Sequence, residues 1–152
     1  MKRGLICYLP TSTTTKKAVK HLALRLNSAN FTFHDITSGQ IPDLSRVDIV
    51  GFLAPMEDED LPLAFQRFFS TFRPVRAMDA FVMSIGENSD RASLFSFAAA
   101  VKRQGFRVVS GHAYTLTAGG QQETPGSPLK RTWFDLFITN LNSFLDVSPN
   151  PA

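Results

Sequence analysis

Five consecutive hydroxyl residues, Thr11, Ser12, Thr13, Thr14 and Thr15, stand immediately before a stretch of helical periodicity. An oxyanion placed there would meet the free N–H groups of a first helical turn, the positive end of the helix dipole and several alcohols. Lys16 and Lys17 add positive charge beside it. Phosphate binding is the chemistry this run suits. Plain N-capping, for which Ser and Thr are preferred, accounts for the same residues, and spacing alone does not separate the two. Two further loops carry polar groups: the acidic run Glu57, Asp58, Glu59 and Asp60, and the segment Gly86, Glu87, Asn88, Ser89 and Asp90.

Other chemistries fail on position. A thiol phosphatase loop starting at Cys7 needs arginine at position 13, where Thr13 stands, and Cys7 lies within an apolar run that suits packing. Receiver-type chemistry needs acids after the first strand and an Asp after the third; the chain has threonines and Ala54-Pro55 there. A Gly-Lys-Ser/Thr phosphate loop and a dinucleotide glycine fingerprint are both missing. His21, His34 and His112 lack metal-ligand spacing, and Ser12 has no placed histidine or aspartate partner.

The elements that must position these loops are readable from periodicity. Residues 4–9 form a short apolar run ending at Pro10, a buried strand. Ala18, Val19, Leu22, Ala23 and Leu26 then mark one helical face, with Lys16, Lys17, Lys20 and His21 on the wet side. Residues 31–36 alternate like an edge strand, and 47–54 read as a central parallel strand ending at Pro55. Leu61, Ala64, Phe65, Phe68, Phe69 and Phe72 make the clearest amphipathic helix, with Pro62 in its first turn. A strand over 80–85, a helix near 91–103 with Leu94, Ala98 and Val101 inward and Gly105 at its end, and a strand over 106–114 follow. A polar loop at 117–128 leads to a helix near 129–145, with Trp133 and Phe137 expected in the core.

Strands alternating with helices predict a parallel sheet covered on both faces. The weakest link is 37–46, with no helical pattern and slightly short for a parallel crossover. Ligands of such sheets bind beyond the carboxyl ends of the strands, where strand order reverses. Loops 10–15, 54–62 and 86–90 should therefore gather on one edge.

The 152 residues fit one domain, expected over 1–147 with a frayed tail at 148–152. With 43% apolar and 19% charged residues the chain is not of a disordered type. One cysteine excludes a disulfide framework and a cysteine-held cluster. Apolar runs fall far short of the ~20 residues of a membrane span, and the N-terminal run is too short for a signal peptide, which predicts a cytoplasmic protein. The net charge is +3, with four of thirteen acids in the 57–60 run. The bases are scattered, which argues against nucleic acid.

Pro10-Thr11-Ser12-Thr13-Thr14-Thr15-Lys16-Lys17-Ala18-Val19 resembles the phosphate loop of the flavodoxin-like superfamily. It is most similar to the flavodoxin domains at the front of some bacterial and archaeal ferredoxin fusion proteins. Val50-Gly51-Phe52-Leu53-Ala54-Pro55-Met56 with Leu61-Pro62 resembles the second loop of that superfamily. Met83-Ser84-Ile85-Gly86 and Gln104-Gly105-Phe106-Arg107-Val108-Val109 resemble its fourth and fifth strands. The resemblance implies an α/β three-layer sandwich with a five-stranded parallel sheet of order 2-1-3-4-5. It also implies noncovalent flavin mononucleotide (FMN), with residues 11–15 on the phosphate. Pro55, Met56 and Glu57, and Gly86, Glu87, Asn88 and Ser89, would flank the isoalloxazine ring.

The implied role is electron transfer or, less favoured for want of a nicotinamide motif, FMN-dependent reduction. Departures from the family pattern are Thr13 in place of the loop glycine, Met56 in place of a stacking aromatic, and no ferredoxin cysteines. They motivate an alternative: a binding module of this fold that has lost FMN and takes another phosphate ligand or a protein. Glu57, Asp58, Glu59 and Asp60 could dock a basic redox partner or form a solvated loop.

Overall fold

The computed structural model describes residues 2–56, 60–86, 91–115 and 133–147. Five strands, β1 (Lys2–Tyr8), β2 (Ala29–Asp35), β3 (Ile49–Pro55), β4 (Met78–Gly86) and β5 (Phe106–Thr115), form one parallel sheet of order β2-β1-β3-β4-β5. The helices are α1 (Thr13–Arg25), α2 (Leu63–Thr71), α3 (Arg91–Arg103) and α4 (Trp133–Val147). The strand order reverses between β1 and β3, as the flavodoxin-like resemblance implies.

Alternation along β3 divides the interior into two cores. Val50, Phe52 and Ala54 face α2 and α3, while Ile49 and Leu53 face α1 and α4. Phe52 is fully buried, with its ring 5.2–6.5 Å from Phe65, Phe69, Phe72 and Phe106. Such aromatic pairs contribute about 0.5–1.5 kcal/mol each beyond the area they bury. The phenylalanine spacing of α2 thus has a definite target. On the opposite face the Phe31 ring lies over the bare backbone of Gly4, and Phe81 lies over Gly51. A Cβ at either glycine would enter the ring.

The 36–48 link crosses from β2 over β1 to β3 without an α-helix. A single 3-10 turn at Ile36–Ser38 opens it, where Asp35 Oδ1 accepts from the Thr37 N–H at 2.8 Å. Ile36 and Leu44 are buried and supply the apolar cover. The Arg76 guanidinium donates to the Val47 carbonyl at 2.6 Å, and the Asp48 N–H donates to the Arg3 carbonyl at 2.8 Å, which fixes the entry to β3.

Three sequence expectations change. Trp133 is 72% exposed, because α4 turns Phe134, Phe137, Ile138 and Leu141 inward instead. Ala23 is exposed, and α1 buries Thr15, Ala18, Leu22 and Leu26, a stripe one step round from the one expected. His21 is not on a wet face: its Nδ1 lies 2.8 Å from the Tyr114 hydroxyl, and its ring packs beside Phe134. Gly105, with φ +108°, ends α3 as expected. The 117–128 loop and the 148–152 tail lie outside the described residues.

Candidate functional site

The hydroxyl run does not form an extended loop. The helix begins at Thr13, and Ser12 is its N-cap with extended backbone angles. Ser12 Oγ accepts from the Thr15 N–H at 3.1 Å and lies 2.9 Å from Thr15 Oγ1. Thr15 is fully buried, Thr11 and Thr13 are exposed, and Ser12 and Thr14 are half-buried. Ser12 and Thr15 therefore carry the capping task. The N–H groups of Thr13 and Thr14 have no acceptor within the helix and point out of its N-terminus. Thr13, which stands where the family has a loop glycine, needs no left-handed backbone: among the described residues no non-glycine residue has positive φ.

A cavity of about 480 Å³ opens beside this helix start, lined by Leu9, Thr11, Ser12, Pro55, Asp60, Leu61 and Pro62. It joins the carboxyl ends of β1 and β3 to the lip that precedes α2. Main-chain bonds hold the three parts in place. The Leu9 N–H donates to the Leu53 carbonyl at 3.3 Å, and the Met56 N–H to the Ile85 carbonyl at 2.9 Å. Gln66 Nε2 donates to the Leu61 carbonyl at 2.8 Å and steadies the lip. The sheet thus brings two of the three expected loops to one crevice at the reversal of strand order.

Of the hydroxyl run, Thr11 and Ser12 line the crevice, and Thr13 and Thr14 follow in the first turn of α1 with their N–H groups at its open end. Lys16 and Lys17 stand exposed one turn in. Asp60 brings a carboxylate to the same cavity. Pro55 is half-buried and lines the cavity, and Gly86 is half-buried at the end of β4. Met56 is 2% exposed and packs into the α2–α3 core. Glu57, Asp58 and Glu59, and Glu87, Asn88, Ser89 and Asp90, lie outside the described residues. Among the described residues, none that lines the cavity is aromatic. Leu61 and Pro62 lie in the 54–62 loop expected at this edge, whereas Leu9 lies outside the expected loops, its one signal being the Pro10 that ends the first strand's apolar run.

Burial pushes the Cys7 thiol up, so it stays protonated and inert. Burial pushes His112 down to about 4, and its ring stacks on Phe137 at 5.4 Å. His21 is also lowered, by burial and then by Arg25 and Lys17. Among the described residues no cluster of three metal-ligating side chains occurs, and no helix is long and apolar enough to cross a membrane.

No family model and no curated protein matches the chain. Solved structures do. A flavodoxin from the domain Archaea aligns with 95% of this chain and 94% of its own, at TM-score 0.63 and 12% identity. A short-chain flavodoxin associated with a non-canonical PDU bacterial microcompartment aligns over 96% and 95%, at 0.65 and 15%. A mutant flavodoxin of Fusobacterium nucleatum bound to flavin mononucleotide aligns over 95% and 94%, at 0.59 and 14%. With the sheet order β2-β1-β3-β4-β5, these similarities establish that the chain has the flavodoxin-like α/β fold.

Proposed function

We propose that the chain binds FMN noncovalently in the cavity beside α1 and carries electrons to and from a protein partner. The observation that carries this reading is the open crevice of about 480 Å³ at the N-terminus of α1, where strand order reverses. Two main-chain N–H groups and the Thr11, Thr13 and Thr14 alcohols would hold the phosphate, assisted by Lys16 and Lys17. Pro55 and Gly86, with Glu57, Glu87, Asn88 and Ser89 on the same two loops, would border the ring, while Met56 stays in the core beneath. Bound there, the nucleotide supplies the redox centre, and no side chain need act as acid, base or nucleophile. Glu57, Asp58, Glu59 and Asp60 would present negative charge to a basic partner. Their field would also disfavour a reduced, anionic flavin. One carboxylate ~8 Å away at intermediate dielectric costs it about 1 kcal/mol, or roughly 40 mV for one electron.

A second reading is favoured by two specific observations. Ser12 and Thr15 already satisfy one another, and Met56 is withdrawn into the core. Both suit a module of this fold that takes a smaller phosphate ligand or a protein in place of FMN. Titration of purified protein with FMN, followed by flavin fluorescence, separates the two. Saturable quenching at micromolar protein supports the first, and its absence, with inorganic phosphate protecting the Thr13 and Thr14 amides, supports the second.

A further inference from the structure

The outer side of β2 has no strand beside it among the described residues, since β2 ends the order β2-β1-β3-β4-β5. An open edge offers its main-chain N–H and C=O groups to another strand, and proteins ordinarily blunt it with lysine, proline or a bulge. β5, at the other edge, follows that rule: its register with β4 shifts between Ala80 and Phe81, and Arg107 stands exposed on it. β2 does not. It pairs with β1 along its 7 residues without a shift. Its stretch Ala29-Asn30-Phe31-Thr32-Phe33-His34 holds no lysine, arginine, acid or proline. Both faces of this edge also expose apolar surface. Phe33 pairs with Ile6, so it shares the α1 face with Phe31. Phe31 is held over Gly4, whereas Phe33 is 37% exposed. On the α2 face, His34 Nε2 lies 3.1 Å from the Gln40 carbonyl, which sets the neighbouring Ile41, 54% exposed, close to the edge.

The residues of the edge complement themselves. An antiparallel copy centred on Thr32 sets Thr32 against Thr32, Phe31 against Phe33 and Asn30 against His34, each pair on one face of the joined sheet. Four phenylalanines then meet on the α1 face, and none of these pairs opposes like charges. Centring on Phe33 instead would set Phe31 against Asp35, an apolar ring against an acid. A parallel copy would leave its own outer edge open and add strands without end, whereas the two-fold arrangement closes.

We infer that the β2 edge is the contact between two copies of this chain, paired antiparallel about Thr32 into one continuous sheet. The contact does not depend on FMN binding. Sedimentation velocity from micromolar to millimolar protein should show the native chain passing to twice the monomer mass. Thr32 is exposed, so T32K and T32E leave the core untouched. Each sets two like charges against one another across the axis. Either variant alone should dimerise about tenfold more weakly or worse, and an equimolar mixture should recover the dimer, lysine facing glutamate. Should either variant not fold, hydrogen exchange of the native protein decides alone: the amides of residues 29–35 should gain protection as concentration rises. Native protein that stays monomeric at millimolar concentration would overturn the proposal. So would T32K that associates like the native chain, a mixture no better than its parts, or concentration-dependent protection confined to residues 106–115.

Discussion

Replacing Ser12 by Ala removes two linked interactions at the start of α1. The N-cap acceptor for the Thr15 N–H is lost, at a cost of about 1 kcal/mol. The Thr15 hydroxyl, fully buried and 2.9 Å from Ser12 Oγ, loses its partner, at a further ~1–3 kcal/mol. The sum is about 2–4 kcal/mol, at or just above the upper end of ordinary single substitutions. For a chain of this size it lowers Tm by roughly 4–16 °C. Thr15→Val removes the stranded hydroxyl while keeping the shape. The S12A/T15V pair should therefore cost less than the two single variants added together, with a coupling of about 1 kcal/mol. Urea unfolding of the four proteins measures this cycle. Strict additivity, or an S12A variant as stable as the parent, would refute the assignment of Ser12 and Thr15 to capping. The cycle also bears on binding. Ser12 can offer its own proton to a phosphate only if Thr15 donates to it, so T15V should alter ligand affinity without disturbing the helix.

The remaining predictions concern the scaffold. Gly51→Ala drives a methyl group into the Phe81 ring and should destabilise by ~1–3 kcal/mol, measured by denaturant unfolding. Phe134→Ala should cost ~3–5 kcal/mol, whereas changing the exposed Trp133 to Ser should stay within ~0.5 kcal/mol in the same assay. His112, moved by burial from its ordinary 6.5 to about 4, is neutral in the fold. The unfolded chain then takes up the proton first as pH falls. Stability present above pH ~6.5 should be lost progressively towards pH ~4 and level off below, by on the order of 3 kcal/mol. Urea unfolding across that pH window should show this loss, and His112→Gln should flatten it.

Much of the scaffold is legible from residue spacing. The apolar runs at 47–54 and 80–85 become β3 and β4 because a strand buried on both faces has no reason to alternate. The Phe65, Phe68, Phe69 and Phe72 spacing predicts α2 because its target, Phe52, lies on a strand readable in the same way. What was not legible follows from long-range partners. His21 reads as a solvent-facing helix residue until Tyr114, 93 positions away, supplies its hydrogen bond. Asn142 shows no local signal, yet its Oδ1 lies 3.3 Å from the N–H groups of Asn27 and Ser28, and its Nδ2 donates to the Arg25 carbonyl at the end of α1. At the site, the hydroxyl run suggested either an anion loop or a cap. The structure divides the run: Ser12 and Thr15 cap, Thr11 and Thr13 are exposed, and Thr14 is half-buried. Met56 reads as a ring cover by alignment, but it follows a strand whose inward face it continues into the core.

Fluorescence titration of the purified chain with FMN asks whether the crevice at the start of α1 accepts the nucleotide. Saturable, stoichiometric quenching is expected, weakened by phosphate and by charge reversal at Lys16 and Lys17. Flavin emission that stays unquenched at micromolar protein, with the Thr13 and Thr14 amide resonances unmoved, would contradict it.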